Sequence, residues 1–315
     1  MKDTYISEAV KYIGADDTTL DLFESQYQIP NGVSYNSYVI LDEKVAVMDT
    51  IDERKTDEWF ANLENVLNGR TVDYLVISHL EPDHAANIKR AADKFPKAQL
   101  VLSAKAKAML PQFFDIAHLD ERCLVVKEGD TLELGIHKLH FVMAPMVHWP
   151  EAMVSYDTVD KILFSADGFG TFGAINGNLF ADEVNFERDW LDDARRYFIN
   201  IVGKYGVQVQ NLLKKAATLE IKMICPLHGP IWRENLGWFI EKYDTWSSYK
   251  PEDQAVMIAY ASIYGNTENA AEILASKLAD KGVKNIAMYD VSVTDPSVIV
   301  SESFRCSHLV FAAPS

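Results

Sequence analysis

The densest chemical feature of this chain is the segment Ser78-His-Leu-Glu-Pro-Asp-His84, which follows directly on the apolar run Asp73-Tyr-Leu-Val-Ile77. It sets four potential metal ligands, His79, Glu81, Asp83 and His84, within six positions at one strand end. Carboxylates and imidazoles beside a buried strand are costly unless something compensates them, so the fold must bring a compensating group to that end. Three further apolar runs finish in the same way: His148 follows KLHFVMAPMV, Asp167 follows KILFSA and His228 follows KMICPL. Four strand ends thus deliver imidazole or carboxylate to one relative place, as when an open sheet assembles a site along one edge. Taken singly, His148 and His228 read as solvated or satisfied histidines, and Asp167, before Gly168, as a turn residue. Together they read as ligands. His118, His137, His140 and His308 belong to no such pattern and read as surface or structural residues.

The donor set comprises four imidazoles and three carboxylates. Seven ligands exceed the needs of one tetrahedral ion and suit two ions that share a bridging carboxylate. Three negative charges with a hydroxide bridge would bring two divalent ions close to neutrality. Carboxylate-rich, thiolate-free coordination suits iron or manganese, with zinc also open. Cys225 lies three residues before His228, but Pro226 intervenes and no second Cys is near, so it reads as a packed thiol.

The remaining pattern is that of a mixed α/β chain. The runs SYVILDEKVAVMDT, AQLVLS and CLVV join those above as short strands, the first folding back on itself at Asp42-Glu43-Lys44. Helix-like segments occupy Lys55 to Leu67, Asn87 to Phe95 and Glu234 to Tyr249. Between Glu187 and Tyr205, apolar residues at 190, 194, 197, 198, 201, 202 and 205 describe one face of a long amphipathic helix that Gly206 interrupts. An α/β or α+β sandwich is expected. At about 100 to 200 residues per domain, 315 residues argue for roughly two. The polar stretch SSYKPED with Pro251 places the boundary near residue 250, giving units 1–250 and 251–315.

Composition narrows the function classes. Asp and Glu outnumber Lys and Arg by 46 to 30, a net charge of −16, which repels phosphate backbones and anionic lipid. No nucleic-acid or membrane role is expected. No apolar stretch approaches the ~20 residues of a membrane span, and the charged N-terminus lacks a signal-peptide core, so a cytoplasmic protein is expected. Three widely separated cysteines fit neither a disulfide framework nor a CxxC iron site.

Beyond residue 250 the chain reads strand, loop, helix, strand, and a third apolar run reaches the last residue. The loop between AVMIAY and NAAEILASKLA contains Ser262, Ile263, Tyr264, Gly265, Asn266 and Thr267. Small hydroxylated residues and Gly before a helix present backbone N–H groups and hydroxyls to an anion, so the loop reads as a phosphate nest. It matches neither a Walker A loop nor the GxGxxG fingerprint. The plain alternative is an ordinary βα turn with a Thr cap.

His79-x-Glu81-x-Asp83-His84, with His148, Asp167 and His228 downstream, resembles the diiron site of the flavodiiron proteins, or A-type flavoproteins, and the resemblance covers essentially the whole chain. It implies an αββα sandwich like that of metallo-β-lactamases over residues 1–250, followed by the first part of a flavodoxin-like doubly wound domain over 251–315. In hydrolytic relatives the motif usually reads His-x-His-x-Asp-His, and Glu81 stands at the second His. The resemblance implies that His79, Glu81 and His148 hold one iron, that Asp83, His84 and His228 hold the other, and that Asp167 bridges them. It places Tyr197 near the pocket as a hydrogen-bonding side chain and leaves Trp149 to packing. The 262–267 loop is similar to the FMN phosphate loop of flavodoxins, and Pro314 and Ser315 resemble the start of a loop flanking the flavin ring.

What the resemblance implies for function is an oxidoreductase that reduces O2 to water, nitric oxide to nitrous oxide, or both, at two irons fed by FMN. A separate electron donor such as rubredoxin and a head-to-tail homodimer are implied with it. A metal-dependent hydrolase and a non-enzymatic diiron sensor of O2 or nitric oxide stand as alternatives. Because the flavodoxin-like pattern stops at its third strand, the sequence is expected to be a portion of a longer chain.

Overall fold

A computed structural model describes residues 5–314. Among them, two sheets face each other. The first runs in the order Val10–Tyr12, Tyr38–Leu41, Val45–Met48, Tyr74–Val76, Gln99–Ser103, Cys123–Val126. Its first three strands are antiparallel and the remainder parallel. The second runs Thr131–Glu133, Lys138–Met143, Met153–Asp157, Ile162–Phe164, Met223–Cys225, antiparallel except for its last pair.

The alternation of side chains along each strand explains why the runs are apolar throughout. Ala46, Met48, Tyr74, Val76 and Val101 point into a layer shared with Leu139, Phe141, Ile162 and Phe164 of the facing sheet. Their neighbours Val45, Val47, Leu75, Leu100 and Leu102 face the other way, onto a cluster with Trp59 and Leu63 of the helix Thr56–Leu67. Strands buried on both faces need no polar alternate. The result is the sandwich with helices on its outer faces that the strand pattern implied.

Three features depart from the sequence expectation. The segment 187–205 is not one α-helix: Phe186–Asp189 and Leu191–Tyr197 are α-helical, Phe198–Val202 is a wide π turn, and Gly203–Tyr205 is a 3₁₀ turn. Phe198, Ile199, Ile201 and Val202 are all buried, more of the circumference than a 3.6-residue stripe covers, and the wider turn accommodates them. Gly206 does not interrupt the path but opens the next helix, Gly206–Ala216. A Cβ there would lie 2.4 Å from the Ser247 carbonyl oxygen, so the glycine permits close packing on the helix Leu236–Ser247. The strands Met153–Asp157 and Thr131–Glu133, and the short pairs near the N-terminus such as Ala15–Asp17 with Val33–Tyr35, also escape the sequence pattern. Their two to five residues are set by pairing partners rather than by any run of their own.

Residues 253–312 form a parallel three-stranded sheet in the order Ile286–Asp290, Asp253–Tyr260, Cys306–Ala312. Helices Asn266–Asp280 and Pro296–Arg305 connect its strands. The second helix lacks a sequence expectation, although Asp295 caps it by accepting a hydrogen bond from the Ser297 amide at 2.8 Å. Cys306–Ala312 is an edge strand, and its Phe311 is 71% exposed. No helix among the described residues is long and apolar enough to cross a membrane.

A buried polar network joins this sheet to the sandwich. Arg195 donates to Glu252 Oε2 at 2.6 Å and to Asp192 at 2.8 Å. Lys242 and the Trp246 indole also donate to Glu252, at 2.7 and 3.0 Å. Arg196 reaches Ser297 Oγ at 2.7 Å. Burial pushes the Glu252 carboxyl up, but the Arg195 hydrogen bond and charge, with Lys242 and Trp246, outweigh it and hold it down to about 2. The folded value lies below the ordinary 4.5. The stabilisation is therefore complete above 4.5 and is lost as pH falls through about 2. Glu252→Gln is expected to destabilise the protein by about 1–3 kcal/mol at neutral pH. In urea unfolding at stepped pH, that deficit should shrink as pH falls from 4.5 toward 2, and a constant deficit would contradict the ion-pair origin.

Candidate metal centre

Each residue of the cluster occupies the turn after a strand. His79 and Glu81 follow Tyr74–Val76, with Leu80 between them fully buried. Pro82 then opens a single helical turn, Pro82–Ala85, which carries Asp83 and His84 back toward the strand end. His148 lies in the loop between Lys138–Met143 and Met153–Asp157, Asp167 follows Ile162–Phe164, and His228 follows Met223–Cys225. All seven side chains converge.

They converge as two groups. In one, ligand atoms of His79, Glu81, His148 and Asp167 lie within 4.8 Å of one another; in the other, those of Asp83, His84 and His228 do. His79 Nε2 and His148 Nε2 stand 2.8 and 3.1 Å from Asp167 Oδ2, and His148 Nε2 stands 2.8 Å from Glu81 Oε2. His84 Nε2 is 3.3 Å from the opposite oxygen, Asp167 Oδ1, and 2.9 Å from His228 Nε2. His228 Nε2 is 3.1 Å from Asp83 Oδ2. Asp167 thus turns one oxygen to each group.

Apart from the His148–Glu81 and His84–His228 pairs, these contacts do not satisfy the atoms that make them. His79 Nε2, both oxygens of Asp83 and both of Asp167 are buried without a properly directed hydrogen bond, although their neighbours are close. Buried polar atoms without partners are rare, and here they point at common centres rather than at one another. Two imidazole nitrogens 2.9 Å apart, as in His84 and His228, likewise call for a shared cation. The donor set fits two metal ions.

The electrostatics lead the same way. Burial pushes the His148 imidazole down, yet the Asp167 and Glu81 carboxylates raise it to about 10. His79 is held well above its ordinary value against burial, chiefly by Asp167. Burial pushes the Asp167 carboxyl up, but the surrounding imidazoles, His79 foremost, hold it well below its usual range. A field that holds protons on imidazoles so firmly will hold cations in their place.

Several positioning residues carry no signal in the sequence. His228 Nδ1 donates to the Ser34 carbonyl oxygen at 2.7 Å, which aims Nε2 at the cluster. The buried Asn36 amide clamps the same loop, donating to the Pro226 and Gly229 carbonyl oxygens at 2.9 and 2.8 Å. The Asp49 carboxylate accepts the Ser78 amide at 2.7 Å, and Thr50 Oγ1 donates to the His84 carbonyl oxygen. Glu24, at a positive φ of 48°, is pushed up to about 7 by burial and by the Glu81 carboxylate. It lines two cavities of about 380 and 390 Å³, one reaching His148 and Trp149, the other Glu81 and Asp83. These residues lie far from the motifs in sequence, and only the fold brings them near.

Tyr197 is buried with its ring centroid 5.4 Å from that of His228. Trp149 lies 6.5 Å from His79 by the same measure and packs on Phe113. The loop 262–267 stands apart, since none of its residues lines either cavity at the cluster. It joins Asp253–Tyr260 to Asn266–Asp280, with Gly265 at φ +83° and its amide donating to Ser262 Oγ at 3.1 Å. Ile263 and Tyr264 are exposed. The Ala261 amide donates to the Ala312 carbonyl oxygen at 2.8 Å, which brings Pro314 to the same sheet edge; Ser315 lies outside the described residues.

Residues 33–229 match the family described as ODP family beta lactamase. The chain is 33% identical over 307 residues to the anaerobic nitric oxide reductase flavorubredoxin of Aliivibrio salmonicida, covering 96% of this chain and 60% of that one. The crystal structure of the flavodiiron protein from Giardia intestinalis superposes with a TM-score of 0.92 at 29% identity, over 99% of this chain and 75% of that one. The rubredoxin oxygen:oxidoreductase of Desulfovibrio gigas does so with 0.89 at 29%, over 98% and 76%. The chain therefore spans between three fifths and about three quarters of the length of these proteins.

The clamp on the His228 loop gives a direct test. Asn36→Leu removes the amide from two buried carbonyl oxygens and is expected to destabilise the protein by about 1–3 kcal/mol, read as a lower urea midpoint with unchanged slope.

Proposed function

The chain belongs to the ODP family beta lactamases and, among them, to the flavodiiron proteins, and on that premise we propose that it is an oxidoreductase reducing O2, nitric oxide or both at two irons supplied by FMN. His79, Glu81 and His148 hold one iron in this reading, Asp83, His84 and His228 the other, and Asp167 lies between them. The observation that carries it is the placement of the two Asp167 oxygens, one toward each group. The paired ions, when bound, supply two adjacent redox-active Lewis acids, and FMN supplies the electrons.

The protein's own residues do the rest. Glu81, Asp83 and Asp167 bring three negative charges into a buried place, which favours a pair of divalent cations over a single one. Ser34, Asn36, Asp49 and Thr50 hold the ligand-bearing loops, so the donor set is arranged before a cation arrives. Phe172, Tyr197 and Phe23, all buried around His228, exclude water from one side. In the second unit, Ser262, Tyr264, Gly265, Asn266 and Thr267 would hold the FMN phosphate at the start of the helix Asn266–Asp280. Ile263 and Pro314 would lie beside the cofactor, and Ser315 is outside the described residues. Rubredoxin as donor is supported by the name of the Desulfovibrio gigas protein, and a head-to-tail homodimer would bring the flavin of one chain to the metals of the other.

A hydrolase reading meets two obstacles: a carboxylate, Glu81, sits where an imidazole would favour zinc, and the anion loop has no role in it. Anaerobic purification followed by metal and flavin analysis separates the readings. Two irons with one FMN per chain are expected. Two zincs without flavin would turn the assignment to a hydrolase, and iron without flavin would turn it to a sensor. With reduced rubredoxin and each gas in turn, Glu81→His and Asp167→Ala are expected to lower turnover at least about 10–100-fold. Wild-type turnover with both irons retained in either variant would remove these residues from the site.

A further inference from the structure

The geometry points to Glu151 as a positioning residue that braces the metal position of His79, Glu81 and His148. Its side chain is 1% exposed, and it plays no part in the donor set. It lies three residues beyond His148, on the same loop. Its Oε1 accepts the Leu80 amide at 2.9 Å, and Leu80 is the residue between His79 and Glu81. One side chain thus ties together the loops that carry His79, Glu81 and His148, three of the four residues of one group.

The loop is anchored again behind that contact. The Glu151 carbonyl oxygen accepts Ser103 Oγ at 2.9 Å, while Ser103 caps the helix Ala104–Met109. The Met153 amide donates to the Ser78 carbonyl oxygen at 3.0 Å. Asp83, His84 and His228 depend on different contacts, those of Thr50, Ser34 and Asn36. The second group therefore has supports of its own, although its Asp83 and His84 share the 78–84 segment with His79 and Glu81.

The second oxygen of Glu151 strengthens the case. Oε2 is buried without a hydrogen-bond partner, and so is His79 Nδ1. An unpartnered carboxylate oxygen in a dry interior is costly to retain unless nearby positive charge offsets it. Two buried carboxylates are joined to the His79 segment, Asp49 through the Ser78 amide and Glu151 through the Leu80 amide, and of these Glu151 alone lies on the His148 loop.

This inference rests on the assignment of His79, Glu81 and His148 to one ion. The test loads the full chain anaerobically with ferrous iron and reads metal per folded chain together with the Mössbauer spectrum. Wild type is expected to hold two irons in a coupled pair. Glu151→Ala is expected to hold one, with the spectrum of an isolated high-spin ion, and Glu151→Gln, whose amide oxygen still accepts the Leu80 amide, to recover the pair. If Glu151→Ala does not fold, Glu151→Asp, which retracts the acceptor by one methylene, carries the same expectation. A coupled pair in the Ala or Asp variant would overturn the brace, and so would parallel loss of both irons with lowered thermal stability. Wild type that fails to bind two irons would instead overturn the metal assignment beneath it.

Discussion

The structure depends on one constraint: three carboxylates and three imidazoles are buried where strand ends meet, with His148 half-buried beside them, and His79, Asp83 and Asp167 are left unsatisfied by the rest. His79 Nε2 and Asp167 Oδ2 approach to 2.8 Å without a directed hydrogen bond, and Asp83 keeps both oxygens unpaired. Groups so costly to desolvate persist in an interior only where cations compensate them, and the surroundings serve to hold them against mutual repulsion. Asn36 and Ser34 restrain His228, Asp49 and Thr50 restrain the segment from Ser78 to His84, and Glu151 joins that segment to the His148 loop.

The sandwich makes this arrangement possible because its strands are buried on both faces. A sheet covered on both sides tolerates no irregular side chain along its length, so polar chemistry is displaced to the strand ends. Two facing sheets then present their ends at one rim: the first contributes residues 79–84, the second His148, Asp167 and His228. The π turn at Phe198–Val202 follows from the same packing demand, burying a broad apolar arc beside Tyr197.

The parallel three-stranded sheet is attached by a buried charged network together with apolar packing of Phe304 on the sandwich core. Glu252 stands at the start of the strand Asp253–Tyr260 and gathers Arg195, Lys242 and Trp246 from two helices of the sandwich. A carboxylate with three donors has one favourable orientation, so the network specifies how the strand leaves the sandwich. The loop 262–267 at that strand's far end is thereby placed by residues outside it.

Much of this was legible in the residues themselves. His79, Glu81, Asp83 and His84 stand at an apolar run, and a buried run is readable locally because side chains alternate with a period of two; the same logic located His148, Asp167 and His228. The 262–267 connection was legible as a loop because Gly and hydroxylated residues between a strand and a helix are a local pattern. What the tertiary structure alone decided is how these pieces meet: that Asp167 divides its oxygens between two groups, that Glu24 lines both cavities, that Glu151 reaches Leu80 across 71 positions and Asn36 reaches Gly229 across 193. The short N-terminal pairs and the π turn belong with them. Such contacts are set by where a chain returns after long excursions, and no periodicity within either partner records the return.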